Sequence, residues 1–124
     1  MTQPLALVYY EKLLPGSRLV NRLQDMHYRV QTVATPDALH ATAVQEKPLL
    51  IFIDLLAGHA AVYPAICEVK KDPATQHIPV ITFISANAKE TEASALAAGA
   101  TLVVAETAVL DQLAQIIDQA LQVI

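Results

Sequence analysis

The residue whose setting most suggests chemistry is Asp54, which ends an unbroken apolar run from Pro48 to Ile53. A run without polar alternation suits a strand covered on both faces, as in the middle of a parallel sheet. Ligands of open parallel α/β sheets gather at the carboxyl ends of the strands, so a carboxylate at that point is a functional candidate. Other reactive types are sparse. Cys67 is the single cysteine, which excludes an internal disulfide and a multi-cysteine metal site and fits a reducing compartment. It stands among apolar residues of a predicted helix and reads as a packing residue. His27, His40, His59 and His77 lack the spacing of metal ligands, although His59 follows Asp54 closely enough to border the same site.

The elements that must position Asp54 follow from hydrophobic patterning. Leu5 to Tyr10 reads as a first strand. Pro15-Gly16-Ser17 reads as a turn with a helix cap, leading to a helix with Leu19, Val20, Leu23 and Met26 on one face. Arg29 to Ala34 predicts a second strand, and Thr35-Pro36-Asp37 marks the start of a second helix reaching about Glu46. The third strand ends at Asp54, a loop surrounds Gly58, and Pro64 opens a third helix that Asp72-Pro73 closes, with Ile66 and Val69 inward. Pro79 to Ile84 predicts a fourth strand, and Asn87-Ala88-Lys89-Glu90 has capping-box spacing ahead of a helix ending at Gly99. A fifth strand, Thr101 to Ala105, precedes a helix capped by Thr107 with an apolar stripe from Val109 to Leu121. Five strands alternating with five helices predict an α/β domain, residues 1–124, with a doubly wound parallel sheet between two helical layers.

The totals agree. The chain has 124 residues, enough for one two-sided core, with 54% hydrophobic and 16% charged residues. A net charge of -4, with no basic cluster beyond Lys70-Lys71, argues against nucleic-acid binding. No apolar run is long enough to span a bilayer, and Met1-Thr2-Gln3-Pro4 lacks the basic start of a signal peptide, so a cytoplasmic protein without membrane contact is expected.

Three segments carry a resemblance to a known family. Lys47-Pro48 is followed six residues after the proline by Asp54. Lys71-Asp72-Pro73-Ala74-Thr75 leads into Ile78-Pro79-Val80-Ile81, and Ala97-Ala98-Gly99-Ala100 precedes the last strand. Together with the alternation over the whole chain, these resemble the CheY-like receiver domain of response regulators, a flavodoxin-like fold of strand order 2-1-3-4-5. The resemblance implies that Asp54 stands where a histidine kinase phosphorylates the family's acceptor.

The rest of the family's machinery departs from its pattern. The acidic pair that holds Mg²⁺ at the end of the first strand is matched by Tyr9 and Tyr10, with Glu11 the acid nearby. Mg²⁺ prefers an octahedron of oxygens, so the resemblance implies at most a weak site formed by Glu11, Asp54 and the backbone carbonyl of Leu56. The lysine expected after the fifth strand is replaced by Glu106, whose like charge would repel a phosphoryl group. The hydroxyl expected after the fourth strand falls on Ile84, with Ser85 one position later; a bulge would be needed to restore it. Val103 stands at the aromatic switch position, and Leu55-Leu56-Ala57-Gly58-His59 replaces the usual residues after the acceptor.

The leading expectation is therefore a non-enzymatic, receiver-like module of two-component phosphorelay signalling with a degenerate site, a pseudo-receiver acting by protein–protein interaction. It carries no output domain, so its effect would pass to a histidine kinase or a downstream signalling protein. A homodimer through the fourth helix, fifth strand and fifth helix is a further expectation. One competing reading is a working phosphoacceptor at Asp54 that uses Glu11 and Ser85. The other is a flavodoxin-like nucleotide or flavin binder, which would need a phosphate cradle after the first strand that Tyr10-Glu11-Lys12-Leu13-Leu14 does not supply.

Overall fold

The computed structural model describes residues 4–9, 13–33, 35–54, 62–84, 88–105 and 112–122. Five strands, β1 (Leu5–Tyr9), β2 (Arg29–Val33), β3 (Leu50–Asp54), β4 (Val80–Ile84) and β5 (Leu102–Ala105), form one parallel sheet of order β2-β1-β3-β4-β5. Among the described residues five helices connect or follow them: α1 (Leu13–Asp25), α2 (Pro36–Glu46), α3 (Val62–Lys71), α4 (Lys89–Ala98) and α5 (Leu113–Gln122). This is the expected flavodoxin-like architecture.

Strand alternation divides the core in two. Leu7, Tyr9, Ile51, Ile53, Val80 and Ile84 pack on one face with residues of α2, α3 and α4. Ala6, Val8, Leu50, Phe52, Ile81 and Phe83 pack on the other with Leu19 and Leu23 of α1 and Leu113, Ile116, Ile117 and Ala120 of α5. Burial on both faces is why the three central strands carry no exposed position before their ends. The half-buried β5 edge and the more polar β2 edge bound this core.

Three local expectations are corrected. Helix α1 begins at Leu13, so Pro15-Gly16-Ser17 lies inside the helix and not in a turn before it. Proline is tolerated there because first-turn amides have no intrahelical acceptor. For the same reason Pro64 sits within the first turn of α3, two residues after its start at Val62. The N-cap of α4 is Ala88, without a side-chain cap bond, one position beyond the expected Asn87; Asn87 itself lies outside the described residues, as do Thr107, Val109 and Leu110. Thr35 does stand at the N-cap of α2, with Pro36 next, but makes no side-chain cap bond.

Candidate functional site

The strand order reverses between β1 and β3, so the crevice at their carboxyl ends is the place where this fold binds ligands. Ladder pairing sets the edge: Tyr9 stands opposite Ile53, Asp54 opposite Phe83, and Ile84 opposite Ala105. Asp54 is thus the last residue of the central strand, one step beyond the level of Tyr9.

Tyr9 is not a surface group at the mouth of this crevice. It is 1% exposed and belongs to the apolar cluster with Leu7, Val33, Leu39 and Ile53. An aromatic ring there supplies packing surface, and no acid stands at that position. Ile84 is 6% exposed in the same cluster, in unbroken register with β5. The ladder therefore contains no bulge through Ile84, and a buried aliphatic side chain ends β4. Val103 pairs with Thr82 and is half-buried against the same cluster. The Thr82 hydroxyl is engaged lower on the strand, donating to the Leu102 carbonyl at 3.3 Å. Tyr10, Glu11, Leu56, His59, Ser85 and Glu106 lie outside the described residues.

The two other family-like segments have structural causes. Asp72 Oδ1 accepts the Ala74 amide at 2.9 Å, turning the chain directly after α3. The buried Thr75 hydroxyl donates to the Val69 carbonyl at 2.6 Å, satisfying an acceptor in the last turns of the helix. Lys70 Nζ donates to the carbonyls of Ile78 at 2.8 Å and Gln76 at 3.3 Å, holding the approach to β4. Burial pulls the Lys70 ammonium below the usual lysine range. Gly99 closes α4 with φ 116°, a conformation that favours glycine.

A side-chain cluster that sequence reading missed joins α2 to α3. His40 Nε2 lies 2.8 Å from Asp72 Oδ2, and Nδ1 lies 3.6 Å from Glu68 Oε2. The Asp72 carboxyl is held below the usual range, first by the Ala74 amide and then by the bond to His40. The available signal was the four-residue spacing of Glu68 and Asp72, which puts two acids on one side of a helix end. Cys67 is half-buried against the core, as expected of a packing residue. Among the described residues no group of three His, Cys, Asp or Glu side chains is placed to hold a metal ion, and no helix is long and apolar enough to cross a membrane.

No family model matches the chain, and no curated protein matches it. Solved structures do. The receiver domain of a sensor histidine kinase of Pseudomonas aeruginosa PAO1, described with magnesium in its active-site cleft, superposes with a TM-score of 0.82 at 18% identity, over 98% of this chain and 99% of that one. The signal receiver domain of a modulated diguanylate cyclase from Desulfovibrio desulfuricans G20 gives 0.79 at 19% identity, over 98% and 95%. The chemotaxis response regulator CheY4 of Vibrio cholerae gives 0.78 at 18% identity, over 94% and 99%. With the sheet order, the two-sided core and the placement of Asp54, these similarities give the chain the fold of the response regulator receiver domains of two-component systems.

Proposed function

We propose that this chain is a receiver-type signalling module that works by binding a partner protein, with its phosphorylation site in degenerate form. The observation that carries the reading is the burial of Tyr9 in the apolar core at the end of β1. Phosphoryl transfer to a carboxylate needs a cation, because charge gathers between an anionic donor and an anionic acceptor. Magnesium occupies the cleft of the similar histidine-kinase receiver domain. Here the donor chemistry does not fit that ion, since Tyr9 supplies ring surface where an oxygen anion is required. Ile84 adds to the reading by offering no hydrogen bond to a phosphoryl oxygen, and Glu106 brings negative charge in place of positive. No catalytic turnover is assigned to the chain.

The competing reading, phosphorylation of Asp54 by a histidine kinase, draws on the position of Asp54 at the reversal of strand order. The two readings separate in one experiment. Mg²⁺ with beryllofluoride leaves the amide spectrum of a degenerate module unchanged, and shifts the amides around Asp54 in a working one.

The surface assigned to a protein partner is the face of α4, β5 and α5, and the partner proposed for it is a second copy of the chain. Leu96 of α4 is 52% exposed, and all four residues of β5 are only half-buried. Sedimentation at rising concentration tests this: a dimer that Leu96→Lys weakens supports it, and a monomer at the highest concentration removes it.

A further inference from the structure

We propose that His40, Glu68 and Asp72 form a proton-operated clasp between α2 and α3. The two ring nitrogens of His40 stand near two different carboxylates, Nε2 at 2.8 Å from Asp72 and Nδ1 at 3.6 Å from Glu68. A neutral imidazole carries a proton on only one nitrogen. When Nε2–H donates to Asp72 at 2.8 Å, Nδ1 turns a lone pair toward the Glu68 carboxylate. The imidazolium form keeps the bond to Asp72 and attracts the Glu68 carboxylate at 3.6 Å by charge. Protonation therefore replaces an opposed pair by an attractive one and makes the Asp72 bond charge-assisted.

The acceptors are set in place by the helix. Asp72 is fixed through its other oxygen, which takes the Ala74 amide. Two acids at the carboxyl end of α3 oppose the helix dipole, and a cation supplied from α2 offsets them. Other titratable groups on the packed elements are Tyr63, Cys67, Lys70 and Lys71 on α3, Tyr9 on β1, Arg29 on β2, and Asp37 and Glu46 on α2 itself. Of these, Tyr9 lies in the core and Lys70 is directed to the Gln76 and Ile78 carbonyls. The clasp is closed where the imidazole is protonated and both carboxylates are ionised, and it loosens as the imidazole gives up its proton.

The test is urea denaturation of the full chain at about pH 5.5 and about pH 8.5, on the natural sequence, His40→Gln and Glu68→Gln. The folding equilibrium constant of the natural chain relative to His40→Gln is expected to fall by about threefold between the two pH values, the size of a partly exposed ion pair. Glu68→Gln is expected to lose part of the same pH dependence. A ratio to His40→Gln that is the same at both pH values overturns the proposal. If His40→Gln does not fold, Glu68→Gln decides, since Glu68 is largely exposed; a pH dependence equal to that of the natural chain then overturns it.

Discussion

Gly99 lies directly on the aliphatic stem of Lys70: a Cβ built on Gly99 would stand 2.8 Å from Lys70 Cγ and 3.1 Å from Lys70 Cβ. The contact ties the end of α4 to the end of α3, while the ammonium of the same lysine holds the chain entering β4. Gly99→Ala combines a steric conflict with a φ of 116° that an L side chain resists. The expected cost is about 2 kcal/mol, read by urea denaturation. In a Lys70→Ala background the 2.8 Å conflict with Cγ disappears, while the 3.1 Å approach to Cβ and the backbone part remain, so a double-mutant cycle should show partial coupling between the two positions.

Thr75 is fully buried, and its hydroxyl serves one carbonyl, that of Val69. Thr75→Val keeps the shape and removes the donor, leaving that acceptor without this bond. The expected loss is about 1 to 2 kcal/mol of stability with no change in fold, measured by denaturation and circular dichroism.

Restoring an acid at the end of β1 should not restore a metal site. Tyr9→Asp would put a carboxylate among Leu7, Val33, Leu39 and Ile53 and empty the volume of a ring. A loss of about 3 to 5 kcal/mol is expected from the cavity alone, and the buried charge adds to it. Thermal melts with and without Mg²⁺ check both parts: a variant as stable as the natural chain, or one that Mg²⁺ stabilises, would show that the ring is not a core residue.

Asp72 gives an acid-side dependence with a definite sign. Its carboxyl titrates below its ordinary value in the folded chain, because the Ala74 amide and His40 favour the charged form. Its contribution is complete above the unfolded-state value and is lost as the pH falls through the lower, folded-state value. Asp72→Asn retains an acceptor for the Ala74 amide but removes the charge. Melting temperatures of the two chains should differ wherever the Asp72 carboxyl is ionised and converge under strong acid.

The strands were the most legible part of the chain, because a sheet buried on both faces leaves continuous apolar runs that end where the core ends, as at Asp54 and Ile84. Helix starts were less legible. Pro15 and Pro64 look like boundaries in the sequence but lie inside the helices, because proline is compatible with any position of a first turn whose amides are unbonded. Capping chemistry misplaced the start of α4 by one residue, since Ala88 takes the N-cap position without a side-chain bond. Of the candidate site, the sequence order alone aligned Tyr9, Asp54 and Ile84 with one edge of the sheet. It favours the tyrosines filling the space of the missing acids but leaves open that one presents its hydroxyl to Asp54, because a tyrosine fits a buried face and a wet edge equally well. The His40 cluster was invisible for a different reason: its bond to Asp72 joins residues 32 positions apart, and only the packing of α2 on α3 creates it.

The central claim is that the receiver fold is kept here while its phosphorylation chemistry is not. The most direct measurement is a titration with Mg²⁺ and beryllofluoride, or acetyl phosphate, on isotope-labelled protein shown to be folded, following amide resonances around Asp54 and along α5. The expected result is an unchanged spectrum at millimolar metal and donor. Saturable shifts that disappear in Asp54→Asn would contradict the account and make the chain a working phosphorylation switch.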